Sequence, residues 1–233
     1  MLKRYAFTLA EILTTLGIIG IIAAMTLPAI IQKHKKTIVE TRLEKFYSTI
    51  NQAIKMSELK NGDKIYWEPK DTDDFWNNYI KPYIKYTQSK EITPDMGAKQ
   101  KIIYIPDGSA FIMDLYFATN NTGDPTLKTK GGHFIFCPEA KACEQGMNKT
   151  TFGKKQFVFG FWPNEDPKTG GHANMEYHKG KGVEPYLHGW KGNEKELYTN
   201  TSDGCNPNAQ NFYCTALIQH NGWKIPKNYP YKF

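Results

Sequence analysis

Residues 4–31 read RYAFTLAEILTTLGIIGIIAAMTLPAII, and this stretch decides the fold. It contains no charged residue from Ile12 to Ile31, a length of about 20 residues that covers roughly 30 Å as a helix, the thickness of a hydrocarbon core. Its one acidic side chain, Glu11, stands near the beginning. The stretch predicts a membrane-spanning helix that carries a carboxylate near one end.

The rest of the 233-residue chain is far more polar. A secretory signal peptide would have a shorter apolar region, of about 7 to 15 residues, that ends in a small-residue cleavage site. A buried core helix would normally show one polar face, which residues 12–31 lack. We therefore expect a retained anchor followed by a water-soluble body.

The cysteines indicate the compartment of that body. Basic residues stand on both sides of the apolar stretch, Lys3 and Arg4 before it and QKHKK after it, so charge alone does not orient the span. An even number of cysteines in a chain with an export segment favours disulfides in an oxidising compartment. The body is therefore expected outside the cytoplasm.

The cysteines form two pairs along the sequence, Cys137 with Cys143 and Cys205 with Cys214. A zinc site made of all four is the alternative, but zinc motifs usually place about two to four residues between paired cysteines, fewer than either pair has here. Among the possible connectivities, the sequential one closes the shortest loops. We expect these two disulfides, each of which would stabilise a loop by about 2 to 3 kcal/mol.

Glu11 requires an explanation, because a charged side chain at membrane depth costs free energy and usually has a partner. It stands about one helical turn after Phe7. If the chain began at Phe7, the new α-amino group would be a cation, and helices packed with a small axial offset could pair the Glu11 of one copy with the amine of the next. The alternative is a glutamate that lies at the membrane interface.

The segment around Glu11 resembles the prepilin-type cleavage and methylation segment of type IV pilins and type II secretion pseudopilins. In that family a short basic leader precedes G-F-T-L-x-E and a long apolar helix. The matching residues here are Ala6, Phe7, Thr8, Leu9, Ala10 and Glu11. Ala6 replaces the glycine that the family most often has, and it is small enough for cleavage to be expected.

The resemblance implies that the chain is processed by an enzyme and is not itself one. A membrane prepilin peptidase would cut between Ala6 and Phe7 on the cytoplasmic side, and the amine of Phe7 would be N-methylated. Glu11 would then align each incoming subunit with the amine of its neighbour. Gly20 and Pro28 match positions where pilin helices have helix-weakening residues, and Pro28 removes one backbone hydrogen bond.

The same resemblance implies the location and the partners. The chain would cross the bacterial inner membrane once, with its amino terminus in the cytoplasm and its head exported to the periplasm or cell surface. A platform protein and an ATPase would pack it, with itself and other pilin-like subunits, into a filament of a type IV pilus or a type II secretion system. No cofactor is expected.

Four segments are expected: a leader at residues 1–6, a transmembrane and assembly helix at 7–31, its amphipathic continuation at 32–60 and an exported head at 61–233. Apolar residues at helical spacing favour packing of the continuation on the head, and they are Val39, Leu43, Phe46, Ile50 and Ile54. The residues assigned to the solvent side are Lys35, Lys36, Glu40, Glu44 and Lys45. The sequence NGD then ends the helix.

The head is expected to be α+β, with an antiparallel sheet and disulfide-stapled loops. The run DTDDFWNNYIKPYIKY predicts a second helix, capped by Asp71 or Thr72 and kinked or split at Pro82. Asp107 and Gly108 stand between two β-prone runs and predict a hairpin. HFIFC and KQFVFGFW extend the sheet, and their alternating aromatics are assigned to the core rather than to a nucleic-acid stacking platform.

The chain ends in GCNPNAQNFYCTALIQHNGWKIPKNYPYKF, which is similar to the closing segment of many bacterial prepilin-like proteins. The similarity consists of a cysteine loop, C-x-A-L-I, a turn and W-K-I-P-x-x-Y-P. We expect Trp223, Ile225 and Tyr229 to cover the sheet edge, and Pro226 and Pro230 to prevent further strand pairing.

Signals for catalysis and for other ligands are weak. His172, His178 and His188, with Glu176 between them, lie in a loop-like stretch without the helical pairing of a metal site, so no metal is expected. The formal net charge of +7 could attract DNA. Because the lysines are scattered rather than set in one stripe, nucleic-acid binding is not expected.

Two classes of function remain. The first is a pilin or pseudopilin subunit of a filament, with a minor pilin of DNA uptake as a variant. The second is a membrane-anchored, exported binding module or enzyme that uses the span only as an anchor. Phe7 and Glu11 favour the first class, because assembly through the amino terminus needs both residues and an anchor needs neither.

Overall fold

The computed structural model describes residues 8–93, 100–116, 131–163 and 176–233. The chain divides into an N-terminal helical unit that ends at Ile38 and a head formed by residues 39–232. The helices are α1 (Leu9–Asn61), α2 (Thr72–Phe75), α3 (Glu196–Thr199) and α4 (Cys214–His220). The strands are β1 (Gln88–Ile92), β2 (Gln100–Tyr104), β3 (Ala110–Tyr116), β4 (Gly131–Cys137), β5 (Phe157–Phe161) and β6 (Glu184–Pro185). The fold is α+β, as predicted.

Helix α1 ends at the NGD sequence, as predicted. Gly62 has a φ of 75°, and its amide donates to the Glu58 carbonyl at 3.0 Å. A residue in this left-handed conformation ends a helix, and glycine adopts it without a steric penalty because it has no Cβ. Asp63 then accepts a hydrogen bond from the Ile65 amide and caps a short 3-10 turn, Lys64–Tyr66.

The predicted apolar stripe of α1 is buried in the head. Its members are Val39, Leu43, Phe46, Ile50 and Ile54, none more than 7% exposed. The assignment of Glu40 to the solvent side is wrong, because its side chain is buried and its Oε1 accepts from the Ile225 amide at 2.9 Å. Lys224 adds a cation whose Nζ lies 3.4 Å from Glu40 Oε2. These partners offset the cost of burying the carboxylate.

The described strands form one antiparallel sheet in the order β1-β2-β3-β4-β5-β6, so each strand pairs with the next along the chain. The predicted hairpin is confirmed: Tyr104 of β2 pairs with Ala110 of β3, and Gly108 in the turn has a φ of 83°. The two predicted aromatic runs are β4 and β5, with Phe134 opposite Phe159.

Both faces of the central strands are covered. On one face, the ring of Phe46 from α1 lies with its centroid 5.3, 4.7 and 5.1 Å from those of Phe111, Phe136 and Phe159. Alternate residues of a strand point to opposite faces. Ile112 and its neighbours on the second face accordingly pack in a cluster with the disulfides and the C-terminal segment. The alternating aromatics therefore belong to the core, as predicted.

The second helix is shorter and less regular than the sequence predicted. Asp71 caps α2, since its Oδ1 accepts from the Asp74 amide at 2.8 Å. After Phe75 the chain continues as a π-helical turn, Trp76–Ile80, and a 3-10 turn, Lys81–Tyr83. Pro82 has no amide hydrogen, so an α-helix with complete hydrogen bonding cannot run through this segment.

The C-terminal segment contains α4 and packs against α1. Trp223 and Ile225 contact α1, and their covering of the sheet edge stays a prediction. The Trp223 ring centroid lies 5.1 Å from that of Tyr47, and the Ile225 amide bonds to Glu40. Tyr229 packs against the cluster on the disulfide side, and its hydroxyl donates to the Gly153 carbonyl at 2.6 Å. The outermost strands of the sheet are β1 and β6, for which no apolar alternation exists in the sequence.

Candidate functional site

Helix α1 begins with a capping box formed by Thr8 and Glu11. Glu11 Oε2 accepts from the Thr8 amide at 2.9 Å and from the Thr8 hydroxyl at 2.8 Å, and the Glu11 amide donates to Thr8 Oγ1 at 3.3 Å. These bonds satisfy amides that the first helical turn leaves without intrahelical acceptors. The pattern T-x-x-E signals such a cap, so Glu11 has a local role besides the inter-subunit role that the resemblance implies.

The apolar side chains of the N-terminal unit are exposed. Those more than half exposed are Leu9, Leu13, Leu16, Ile18, Ile19, Ile21, Ile22, Met25, Leu27, Ile30 and Ile31. The alternative interpretation of residues 12–31 as a buried core helix is therefore wrong. By length and composition α1 can cross a membrane, and a signal sequence near the amino terminus would meet the same criteria.

The threonines of this apolar surface bond to the helix that carries them. The hydroxyls of Thr14, Thr15 and Thr26 each donate to the carbonyl four residues earlier, at 2.8, 2.9 and 2.9 Å. Hydrocarbon offers no water to a hydroxyl, so polar groups of a spanning helix must be satisfied internally. The surface meets that requirement.

The residues assigned to processing and the residues assigned to helix weakening fall in different parts of the chain. Ala6 and Phe7 lie outside the described residues. Gly20 and Pro28 both lie within the continuous helix α1, so neither one ends it. Their role in weakening the helix stays a prediction.

Charged residues of α1 hold the turn between β2 and β3. Arg42 donates to the carbonyls of Pro138 and Asp107, and Lys45 Nζ lies 2.8 Å from Asp107 Oδ2. Although burial raises the pKa of Asp107, hydrogen bonds from Lys45 and Ser109 hold it below its ordinary value. The turn is therefore tied to the helix by an ionised carboxylate.

Polar residues one turn further along α1 hold the edge strand β6. The Tyr47 hydroxyl donates to Glu184 Oε1 at 3.0 Å. The Asn51 side chain accepts from the Val183 amide at 3.0 Å and donates to the Val183 carbonyl at 2.7 Å. Burial raises the pKa of Glu184, and burial together with the Glu184 charge raises that of Tyr47 to about 12. Asn51 occupies backbone groups through which a further strand would otherwise pair.

Both predicted disulfides are formed, Cys137 with Cys143 and Cys205 with Cys214. The zinc alternative is wrong, because all four sulfurs are in these bonds. Gln156 fixes the first loop further: its side chain is fully buried, and its Nε2 donates to the Ala142 carbonyl at 2.7 Å and to the Gly146 carbonyl at 2.8 Å. The sequence gives no signal for this glutamine.

Two of the three histidines considered for a metal site lie around one tyrosine, together with a third histidine from β4. The Tyr186 ring centroid is 5.3 Å from that of His133, 6.3 Å from His178 and 6.4 Å from His188. His172 lies outside the described residues. Within the described ranges, no three His, Cys, Asp or Glu side chains are placed to hold a metal ion. The three imidazoles pack around the ring of Tyr186.

His178 is the buried member of that cluster. Its side chain is fully buried, and its Nε2 accepts from the Leu187 amide at 3.3 Å. Burial lowers the pKa of His178 to about 3, and the positive charges of Lys181, His133 and His188 add to the effect. The folded head therefore holds this imidazole neutral.

The head is expected to lose stability as the pH falls from the ordinary pKa of histidine, 6.5, towards about 3. In that window the unfolded chain binds a proton at His178 that the folded chain does not, so acid favours unfolding. At about pH 4.5 the loss from this residue is on the order of 2 to 3 kcal/mol. Glu184 and Asp203, whose pKa values burial raises, act in the opposite direction near pH 4 to 5.

Urea unfolding of the full-length chain at neutral pH and at about pH 4.5 measures this contribution. His178→Gln is expected to remove it, so that the variant loses less stability with acid than the unsubstituted chain. His34→Gln, which replaces an exposed imidazole of α1, serves as the control and is expected to behave as the unsubstituted chain. An unchanged pH dependence in His178→Gln would contradict the prediction.

A family model matches residues 29–233, from within the apolar part of α1 to the end of the head. The chain belongs to the family of unknown function DUF6613. The DUF6613 match includes the buried stripe of α1, the sheet and both disulfides, whereas Thr8 and Glu11 precede it. No curated protein and no solved structure matches the chain.

Proposed function

We propose that the chain is a pilin-like or pseudopilin-like subunit that is cut before Phe7, N-methylated there and polymerised through its N-terminal helix. One observation carries the proposal: residues 9–31 of α1 combine an exposed apolar surface with one carboxylate, Glu11, in the first turn of the helix. A membrane anchor requires the apolar surface but gains nothing from the carboxylate, whose insertion in lipid costs free energy. A polymer held by charge pairing between N-terminal helices requires both.

The head supports the same proposal. Helix α1 runs without a break from Leu9 to Asn61 and supplies Phe46 and its neighbours to the core of the head. A filament held together by N-terminal segments would therefore carry the heads with it. The two disulfides suit an oxidising compartment, which agrees with an exported head and an amino terminus left in the cytoplasm.

The proposal names the partners of the chain. They are a prepilin peptidase, an inner-membrane assembly platform with its ATPase, and other copies or pilin-like subunits. A type IV pilus, a type II secretion filament and a DNA-uptake filament would all use these parts. A membrane-anchored binding module or enzyme is the competing function, and it predicts an amino terminus that is neither cut nor methylated.

Mass spectrometry of the mature amino terminus tests the proposal directly. In cells with an active prepilin peptidase, we expect a chain that begins with N-methyl-Phe7. Ala6→Gly should be cut at least as completely, whereas Ala6→Leu should be retained because the bulky side chain does not suit a small-residue cleavage site. If the unsubstituted chain keeps residues 1–6 in such cells, the proposed function is wrong.

A further inference from the structure

Basic residues surround α1 where its apolar surface ends. They are Lys33, His34, Lys35 and Lys36, and all of them lie within the helix. A helix turns once in about 3.6 residues, so consecutive side chains here point to all sides of it within about 5 Å of its length. Lys33, His34 and Lys35 are exposed. We refer to Lys33, Lys35 and Lys36 as the basic ring.

The basic ring continues directly from the exposed apolar surface. Ile30 and Ile31 are more than half exposed, and Lys33 follows them closely in the sequence. Residues 12–31 cover roughly 30 Å as a helix, which is the thickness of a hydrocarbon core. A span of this length brings the ring to the layer of phosphate groups that borders the hydrocarbon. Lysine side chains can lay their stems along apolar chains and reach such a layer with their ammonium groups.

The positive charge of the basic ring is not compensated along the helix. No aspartate or glutamate stands between Ile12 and Val39. Among the residues that the structure describes, none of the three lysines of the ring forms an ion pair. The next acidic residue of α1, Glu40, is buried and lies against Lys224. The ring therefore presents ammonium groups whose charge is available to a partner.

The proposed topology places the basic ring on the exported side of the membrane. Lysine and arginine are generally enriched on the cytoplasmic side of spanning helices. The lysines of the ring therefore oppose the orientation that an exported head requires, and they do not serve to orient the span. Their position indicates a different interaction.

We propose that the basic ring binds the phosphate groups of anionic phospholipids at the exported face of the membrane. A ring matches this partner because headgroups surround a spanning helix on all sides and form a thin layer at one depth. Each lysine close to an anionic membrane surface strengthens binding by about fivefold. The inference rests on the membrane span and the orientation within the proposed function, and not on cleavage or polymerisation.

A second copy of the chain fits the basic ring less well than lipid does. Charged residues that contact a neighbouring helix recur every three or four residues along one face. The ring instead occupies nearly consecutive positions on different sides of α1. Of the acidic residues that follow it in α1, Glu40 already lies against Lys224 and Glu58 against Lys64. A second helix α1 therefore offers the ring little free negative charge.

Lipid retention by the full-length chain tests the inference. The chain is placed in bilayer nanodiscs that contain equal amounts of phosphatidylglycerol, which is anionic, and phosphatidylcholine, which is zwitterionic, with identical acyl chains. Native mass spectrometry then counts the lipids that remain bound to the chain. We expect bound phosphatidylglycerol to exceed bound phosphatidylcholine about fivefold. Equal retention of the two lipids overturns the inference.

Variants of the basic ring locate the effect. Lys33→Gln, Lys35→Gln and Lys36→Gln together should reduce the ratio of the two lipids to about one, whereas arginine at the same positions should keep it. Glutamine and arginine are good helix formers, so α1 is kept. The control has the same change in net charge and replaces exposed lysines of the head by glutamine, namely Lys55, Lys60 and Lys191. It should retain the preference. A preference that survives the glutamine substitutions of the ring also overturns the inference.

Other results separate the inference from the proposed function. A chain that keeps residues 1–6 and still retains phosphatidylglycerol through the basic ring would contradict the proposed cleavage and leave the inference standing. A mature chain that begins after the apolar stretch, as after removal of a signal sequence, would overturn both. If the unsubstituted chain shows no lipid preference but the glutamine variant is lost from filaments, the ring belongs to a contact between copies and the inference is wrong.

Discussion

Replacing Glu11 with alanine is expected to leave cleavage before Phe7 intact and to lower incorporation of the chain into filaments by about tenfold or more. Removal of the carboxylate would leave the amine of a neighbouring copy unpaired in lipid, and breaking a pair in this way costs more than the pair contributes. The amount of chain in sheared filaments, relative to the amount of processed chain in membranes, measures the effect.

The capping box makes a sharper version of this experiment possible. Glu11 both caps α1, through the Thr8 amide and hydroxyl, and supplies the proposed charge. Glutamine at the same position can keep the cap but has no charge. We therefore expect Glu11→Gln to assemble as poorly as Glu11→Ala, whereas Thr8→Ala, which weakens the cap and keeps the charge, should assemble far better than either. If Glu11→Gln assembles normally, the residue acts as a cap and not as a charge partner.

The parts of the fold that depend on local pattern were predictable from the sequence. The α1 stripe follows from apolar residues at helical spacing, and the β2–β3 hairpin from Asp107 and Gly108, since few residues other than glycine adopt the turn conformation there. Sequential disulfides follow from short loops. In each case the residues that cause the structure are close in sequence, so the local sequence pattern is enough to predict it.

The parts that depend on distant partners were not predictable. The helical pattern places Glu40 on the side of α1 that faces solvent. Its burial becomes favourable only through the hydrogen bond from the Ile225 amide, which is far along the chain. Strand β1 has the sequence QSKEI and is largely exposed, so no alternation reveals it. Strand β6 is two residues long and includes Pro185, and it is held by contacts of Val183 and Glu184 with α1.

The candidate site shows the same division. Thr8 and Glu11 are three residues apart, and their pattern predicts both the helix start and the cap that the structure contains. The inter-subunit pairing proposed for Glu11 would involve a second copy of the chain, so a single-chain structure does not test it.

Phe46→Ala is expected to destabilise the head by about 3 to 5 kcal/mol, a large part of the roughly 5 to 15 kcal/mol by which a folded domain is stable. Phe46 is 4% exposed, and its ring contacts Phe111 of β3, Phe136 of β4 and Phe159 of β5. Alanine at this position leaves a cavity between helix and sheet that the three rings cannot fill without moving in a packed core. Urea unfolding of the full-length chain, followed by near-ultraviolet circular dichroism of the aromatic cluster, measures the loss.

Two further variants separate packing from helix propensity. Phe46→Leu keeps most of the apolar volume and should cost clearly less than Phe46→Ala. Met56→Ala is a substitution in the same helix at a side chain that is 44% exposed, and it should change stability by no more than about 0.5 kcal/mol. If Phe46→Ala costs as little as Met56→Ala, then α1 does not pack on the sheet through this ring. The head would then be held to the helix by the polar contacts of Glu40, Arg42 and Asn51.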